Sequence, residues 1–141
     1  MNNLAHKMTN QLEIEMRAFA RDLYNERRAC LFKVPEEMQQ TPCDFFGWTP
    51  SGRAVAIECK QVKRRSLPIG TSNGIQPHQW TALELCFNCG GIALLIWRNG
   101  DETRTLSFLE MRALSNGRRS IEWPITSRPN WQDDLRVALA V

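Results

Sequence analysis

Two carboxylates and one lysine lie near each other on two segments that the sequence predicts to be paired β-strands. The first segment, residues 43–48, carries Asp44, and the second, residues 53–60, carries Glu58 and Lys60. The intervening sequence TPSG has turn composition, because Pro presets φ and Gly tolerates a positive φ. A tight hairpin would put Asp44 opposite Glu58 or the residue before it, depending on a one-residue bulge. Directly opposed residues are about 5 Å apart.

These residue types suit metal-dependent chemistry at phosphorus. Side chains two apart on a strand share a face, so Glu58 and Lys60 project together, away from Val55, Ile57 and Cys59. Mg²⁺ is usually held by one or two carboxylates with waters and substrate phosphate, and it can generate a hydroxide and stabilise an in-line displacement. The lysine can orient the attacking water or neutralise transition-state charge. The alternative is a hairpin with solvated charges on its outer face, because E-x-K is common on strands.

The combination of motifs is more specific than either motif alone. Pro42-Cys43-Asp44 supplies a P-x-D, and Glu58-Cys59-Lys60, about fourteen residues later, supplies an E-x-K on the adjacent predicted strand. This pair resembles the PD-(D/E)xK nuclease superfamily, whose members cut nucleic-acid phosphodiesters with Mg²⁺.

Length and composition indicate one domain, residues 1–141, with 43% hydrophobic residues to build a core. No apolar stretch approaches the ~18 residues of a membrane span, and the first ten residues lack an apolar signal region. We therefore expect a cytoplasmic protein with no membrane partner. The resemblance to a nuclease superfamily further implies association with the nucleoid of a bacterial or phage-infected host cell. The net charge of +3 permits nucleic-acid binding without demonstrating it.

The five cysteines are expected to be reduced thiols, because the chain shows no secretory signal. Cys86 and Cys89 form a C-x-x-C, but a structural zinc site usually needs a second such pair, and the sequence has none. A redox C-x-x-C normally opens a helix, whereas this one closes a predicted helix before Gly90-Gly91. We interpret both residues as buried or half-buried thiols.

Residues 10–29 are predicted to form an amphipathic helix that carries a third acidic candidate, Glu13. With Asn10 at the N-cap and Glu13 at N3, the sequence has a capping-box pattern, and capping is one interpretation of Glu13. The other is that Glu13 points towards the sheet and reaches the metal site. It stands at the edge of an apolar stripe of helical spacing, formed by Leu12, Met16, Phe19 and Leu23.

The rest of the chain predicts a mixed β-sheet flanked by helices. Strands are expected at residues 29–34, 92–97 and 103–107, the last two joined by an Asn99-Gly100 hairpin signal. Helices are expected at residues 77–89 and 108–114, and from Asn130 onwards. Residues 67–74 are expected to be irregular.

Several residues are predicted to contact DNA. A basic loop begins beside the proposed site, and helix N-termini such as the one that Pro77 opens favour anions. A second basic cluster lies near residue 118. The candidates are Lys63, Arg64, Arg65, His78, Arg118 and Arg119.

Beyond these motifs, the chain resembles the RecU-type Holliday-junction resolvases within the same superfamily. The matching elements follow the family order along nearly the full length: Leu12-Glu13, Lys33, Asp44 with a Gly three residues on, Gly52-Arg53, Glu58-Cys59-Lys60, Ser66-Leu67-Pro68, His78-Gln79, Gly90-Gly91-Ile92-Ala93, Gly117-Arg118-Arg119-Ser120-Ile121 and Arg128-Pro129. The family favours Glu-Ala-Lys at 58–60. Its bacterial members also carry a stalk insertion, which enters the junction centre, where this chain has only residues 34–41. Shorter viral and archaeal resolvases of the superfamily lack the stalk as well.

The resemblance implies a restriction-endonuclease-like α/β fold, a homodimer, and Mg²⁺-dependent symmetrical nicking of four-way DNA junctions, with Mn²⁺ able to substitute. The catalytic residues it carries over are Glu13, Asp44, Glu58 and Lys60, with Gln79 as an addition. Asp44 and Glu58 would hold the metal with the Cys59 backbone carbonyl, and Glu13 would bind it directly or through water. Lys60 would position the nucleophilic water.

We therefore expect a structure-selective, Mg²⁺-dependent endodeoxyribonuclease that resolves Holliday junctions. The alternatives are a nuclease for other branched, single-stranded or damaged DNA, and a nuclease-fold DNA-binding module without catalysis. The intact acidic and basic triplet disfavours the last. For a dimer interface the sequence offers apolar residues that could equally belong to the core: Leu31, Phe32, Phe45, Phe46 and Trp48.

Overall fold

The apolar patterns of the sequence become four helices and seven strands in the computed structural model, which describes residues 11–35, 41–115, 117, 119–124 and 130–141. The helices are α1 (Gln11–Asn25), α2 (Pro77–Asn88), α3 (Phe108–Ser115) and α4 (Trp131–Leu139). The strands are β1 (Cys30–Lys33), β2 (Phe45–Trp48), β3 (Ala54–Gln61), β4 (Ser66–Pro68), β5 (Ile92–Asn99), β6 (Glu102–Ser107) and β7 (Ser120–Glu122). Across the described residues, none of the helices has the length and apolar character needed to cross a lipid bilayer.

Five of the strands form one mixed sheet in the order β1-β2-β3-β5-β6. β3 and β5 pair in parallel, and the other neighbours pair antiparallel. α1 and α4 pack on one face of the sheet, and α2 and α3 pack on the other. The predicted α/β architecture, a mixed β-sheet flanked by helices, is confirmed.

Side-chain alternation along the central strands produces these two layers. On β5, Leu94 and Ile96 enter the core beneath α1, whereas Leu95 and Trp97 enter the core beneath α2. A strand buried on both faces requires a continuous apolar run, which residues 92–97 supply. The neighbouring strand β3 breaks this rule, because Glu58 occupies an inward position beneath α2 with only 1% of its surface exposed.

The β2–β3 hairpin forms around the predicted turn. Thr49 N donates to Arg53 O at 3.0 Å, and Gly52 N donates to Thr49 O at 2.9 Å. Gly52 has φ +82°, which explains the glycine. The paired register ends with Phe45 opposite Ile57, and the backbone N–H of the preceding residue, Asp44, donates to the same Ile57 carbonyl, so Asp44 lies beside Ile57, the alternative that a one-residue bulge predicts.

The structure differs from the sequence-based expectation at two places. α1 ends at Asn25 instead of residue 29, and Arg27 adopts a left-handed φ of 60° beyond it. Residues 66–68, the last two of which fall in the stretch predicted to be irregular, form β4, which pairs with β7 in a separate two-stranded sheet. Leu67 and Ile121 anchor this pair, and both are completely buried. The predicted cap Asn10 lies outside the described residues.

Candidate active site

The candidate active site lies at the N-terminal end of β2, where the paired strand β3 extends beyond it. Asp44 N donates to Ile57 O at 3.0 Å, the last backbone bond between the two segments. Beyond it, the Asp44 side chain takes the place of a strand partner, because its Oδ2 accepts a hydrogen bond of 2.7 Å from Cys59 N. The chain therefore fixes the Asp44 carboxylate beside Glu58.

Glu58 is a buried carboxylate with one satisfied oxygen. Lys60 Nζ lies 3.4 Å from Glu58 Oε1. The other oxygen, Oε2, is buried and has no hydrogen-bond partner among the described residues. Because Glu58 is 1% exposed, the interpretation of a hairpin with solvated charges is wrong for this residue.

Burial raises the pKa of Glu58 well above its usual value, and the neighbouring Asp44 charge raises it further, while Lys60 lowers it in part. A carboxyl group in these surroundings is costly to ionise unless another positive charge approaches. An orphaned carboxylate oxygen next to a second carboxylate is the kind of donor pair that a hard divalent cation satisfies.

The cysteines next to Asp44 and Glu58 are not expected to bind a metal, so the available metal ligands are oxygen atoms. Burial, with the Glu58 and Asp44 charges, raises the pKa of the Cys43 thiol to about 12. Burial raises the pKa of Cys59 as well. Both side chains thus remain protonated thiols near neutral pH, and the thiolate is the metal-binding form. The two carboxylates and backbone carbonyls suit Mg²⁺ better than a soft cation.

Within the part of the chain that the structure describes, no group of three His, Cys, Asp or Glu side chains is arranged to hold a metal ion. An ion between Asp44 and Glu58 would need further oxygens from backbone, water or substrate, the usual pattern for Mg²⁺. The Ile57 carbonyl and the Cys59 N–H both face the β2 side of β3. Strand geometry turns the Cys59 carbonyl towards the same side.

Lys33 links the third predicted acid to this pair. Its Nζ lies 3.9 Å from Glu13 Oε2 and 3.8 Å from Asp44 Oδ1, and it donates to Val34 O at 3.0 Å. Sequence reasoning noted Lys33 only as a matching position of the resemblance and gave it no role. In the structure it is the cation that holds Glu13 and Asp44 in one cluster.

Two contacts fix the start of α1 and therefore the position of Glu13. Leu12 N donates to Gln61 Oε1 at 3.0 Å, at the end of β3. Arg98 on β5 binds Glu15 through both of its terminal nitrogens. The Arg98 hydrogen bond lowers the pKa of Glu15. α1 packs on the face opposite Glu58, so Glu13 and Glu58 approach the Asp44 edge from opposite faces.

Gln79 and His78 lie in the first turn of α2, as predicted. Gln79 Oε1 accepts from Gln76 N at 2.9 Å, so this buried side chain caps the helix. The far end of α2 is fixed beside the start of β3, where Arg53 Nε donates to Gly90 O at 3.1 Å. Twelve helical residues span about 18 Å, which places the first turn beside the other end of β3, where Glu58 and Lys60 lie.

The predicted DNA contacts are exposed where the structure describes them. Lys63, Arg64, Arg65 and Arg119 are exposed, and His78 is half-buried. Arg118 lies outside the described residues. Sequence reasoning missed one further basic residue, Arg104, which is 3% exposed on β6. Its inward position was detectable, because Arg104 and Leu106 alternate along one face of a predicted strand.

The C-x-x-C residues have different surroundings. Cys86 is half-buried, its Sγ lies 3.6 Å from Ile92 O, and burial raises its pKa. Cys89 is exposed at the end of α2, so the prediction of two buried or half-buried thiols holds for Cys86 alone.

Comparisons of the sequence and of the fold with known proteins gave different results. No family model matches the chain, and no curated protein matches it. A solved structure to which the chain is similar is Hjc, a Holliday junction resolvase from the archaeal hyperthermophile Archaeoglobus fulgidus. The two share 16% sequence identity with a TM-score of 0.49, over 78% of this chain and 85% of that chain.

Proposed function

We propose that this protein is a Mg²⁺-dependent endodeoxyribonuclease selective for branched DNA, and that it resolves four-way junctions by paired nicks. The observation that carries the proposal is the Asp44–Glu58–Lys60 cluster, in which a buried Glu58 oxygen has no partner among the described residues. Burying an unpartnered carboxylate is costly. A fold that retains one beside a second carboxylate and a lysine is explained by a ligand that the cluster binds.

The roles of the side chains follow from their positions. Asp44 and Glu58 would hold the metal, with the Cys59 carbonyl completing the protein ligands. A metal held there would supply an activated water at neutral pH and charge stabilisation at phosphorus. Lys60, 3.4 Å from Glu58, would orient the attacking water and neutralise developing charge. Glu13, tied to Asp44 through Lys33, would bind the metal through water and fix the Asp44 carboxylate.

A homodimer belongs to this proposal, because resolving a junction requires two symmetrical cuts and each chain has one such cluster. A two-fold dimer uses the same patch on each chain. Three aromatic side chains, Phe32, Phe46 and Trp48, form an exposed patch on β1 and β2, with 44–48% of their surfaces exposed. The Phe32 ring packs at a tilt against Phe46 and edge-on against Trp48, with centroid distances of 5.8 Å and 5.4 Å. Leu31 and Phe45 are core residues.

A cleavage assay tests the proposal. A labelled four-way junction, the matching duplex and a single strand are incubated with the protein in Mg²⁺, in Mn²⁺ and in EDTA. We expect paired nicks in the junction in either metal, little cleavage of the other two, and none in EDTA. Asp44→Asn should abolish cleavage while junction binding survives, since binding depends largely on phosphate contacts with Lys and Arg.

The matched control is Asp22→Asn, an exposed carboxylate on α1, which should cut at the wild-type rate. Equal cleavage of all three DNAs would favour the general nuclease. Wild-type activity in Asp44→Asn would show that the site is misassigned. DNA binding without cleavage under every metal condition would leave the non-catalytic module.

A further inference from the structure

Arg104 is a buried cation to which the described residues give no hydrogen bond and no ion pair. The residue is 3% exposed, and its nitrogens are not among the fully buried polar atoms that lack a partner. The guanidinium lies over the face of Trp123, 5.7 Å from the ring centroid. Taking a guanidinium largely out of water costs free energy, and a cation–π contact returns about 0.5–2 kcal/mol of that cost.

The guanidinium faces a cavity of about 820 Å³ that we call the basic pocket. Four basic side chains line it, Arg104 and the three of the basic loop, Lys63, Arg64 and Arg65. Two acidic residues, Glu102 and Glu122, line it as well, so the charge balance of the lining is positive. Anions are therefore favoured there over cations.

The pocket is rigidly built. Asn99 holds the basic loop through both of its amide atoms, accepting from Arg64 N and donating to Arg64 O. Trp123 N donates to Arg65 O at 2.9 Å. Trp97 Nε1 donates to Val62 O at 2.9 Å, and the Trp97 ring packs edge-on against Trp123. Side chains on a fixed loop lose less entropy when they bind a ligand.

The basic pocket lies on the same face as the candidate active site. Lys60 on β3 is paired with Trp97 on β5, and Trp97 is paired with Arg104 on β6. Directly paired residues point to the same face, so these three form one row across the sheet. Adjacent strands are about 4.8 Å apart, which puts the Arg104 backbone about 10 Å from that of Lys60.

We infer that the basic pocket binds a phosphodiester group of the DNA strand that is cut, a phosphate close to the scissile one. Arg104 would form the charge-assisted hydrogen bonds, the basic loop would supply further positive charge, and Trp123 would fix the guanidinium plane. Arginine suits this task because its planar donors match phosphate oxygens. The inference rests on the proposed function for the identity of the ligand, since the charge of the pocket by itself specifies only an anionic group.

The test measures binding separately from cleavage. Binding of a fluorescent four-way junction is measured by anisotropy in EDTA, in the Asp44→Asn background, at several salt concentrations. Adding Arg104→Gln should weaken binding about tenfold and reduce the slope of log K against log salt by roughly one. Arg104→Lys should keep the slope but bind more weakly, because it retains the charge without the planar donors. Arg136→Gln, on the opposite sheet face, is the charge-matched control and should change neither quantity.

A neutral methylphosphonate, placed at one position of the cut strand at a time, identifies the phosphate. A methylphosphonate at one position close to the scissile phosphate should weaken binding of the protein that retains Arg104. The same methylphosphonate should have no effect on binding of Arg104→Gln. If Arg104→Gln does not fold, the Arg104→Lys protein should still show a reduced effect at that position. An unchanged affinity and slope in folded Arg104→Gln would overturn the inference even if wild-type protein cuts junctions. Failure of cleavage alone would overturn the proposed function and leave the pocket result standing.

Discussion

The cost of burying the Glu58 carboxylate distinguishes this site from an ordinary hairpin with charged side chains. A carboxylate that is 1% exposed loses its hydration, and Lys60 compensates one oxygen only. The raised pKa of Glu58 expresses this cost. Without metal, the folded protein therefore holds a proton on Glu58 at pH values where the unfolded chain has released it.

The first prediction is a pH-dependent loss of stability that Glu58 causes in the metal-free protein. Since the folded pKa of Glu58 is raised, its contribution is fully present below about pH 4.5 and is lost as pH rises through the folded value. In EDTA, Glu58→Gln should match wild type near pH 4 and exceed its stability increasingly up to pH 8. A tenfold difference in proton affinity between the folded and unfolded states is worth about 1.4 kcal/mol. Urea unfolding at a series of pH values measures this.

Glu84→Gln, an exposed carboxylate on α2, is the matched control and should follow wild type at every pH. Adding Mg²⁺ should stabilise wild type by mass action and leave Glu58→Gln unchanged. Parallel pH curves for wild type and Glu58→Gln would contradict the assignment of the raised pKa to this side chain.

Sequence reasoning reached Asp44, Glu58 and Lys60 because their spacing is local to one hairpin and the register follows from one turn. It could not reach the burial of Glu58, which depends on α2 covering that face of the sheet. The sequence also could not predict which residues surround Lys33 and Arg104. Lys33 meets Glu13 and Asp44 through contacts between distant segments, and the pocket at Arg104 needs β7 and the basic loop to meet.

At the scale of elements, the sequence predicted long periodic segments well and short ones poorly. The strand at residues 92–97 and the helix that Pro77 opens carry strong patterns. β4 and β7 have three residues each, too few for an alternation to be recognised.

The first turn of α2 carries the second prediction, because Gln79 was predicted to be catalytic and the structure gives it a capping bond to Gln76 N. Gln79→Ala should destabilise the protein by about 1 kcal/mol. Gln79→Glu should restore that stability, since Glu also serves at the third position of a capping box. Thermal unfolding measures both changes.

Cleavage rates of the same two variants separate the roles of Gln79. If Gln79 only caps the helix, the folded Gln79→Glu protein should cut at the wild-type rate. A rate that falls in Gln79→Glu while its melting temperature stays unchanged would assign the side chain to the chemistry. Equal destabilisation by Ala and Glu would contradict the capping role.

At the scale of the whole molecule, one sheet face carries three features in sequence across its strands. The aromatic patch lies on β1 and β2, the carboxylate–lysine cluster lies on β3 and its β2 edge, and the basic pocket lies by β6. Side-chain parity supports this arrangement, because Phe46 and Trp48 alternate with the core residue Phe45 and so share the face of Glu58. Under the proposed function, a DNA strand crossing this face would meet the carboxylate–lysine cluster between the proposed phosphate-binding pocket and the aromatic patch.

The last prediction concerns that hydrophobic edge. Three aromatic rings in mutual contact, each about half exposed, form the kind of surface that marks an interaction site. Because paired nicking requires two active sites, we propose a second copy of this chain as the partner. Phe32→Ser with Trp48→Ser should convert a dimer of the 16.3 kDa chain into a monomer in sedimentation experiments, while unfolding stability changes little because both side chains are exposed. The control pair, Leu85→Ser with Val137→Ser, removes exposed apolar residues elsewhere on the surface and should remain dimeric. The monomer should nick one strand of a junction and lose the paired cut. A monomeric wild type, or a dimer that survives loss of the patch, would contradict the interface.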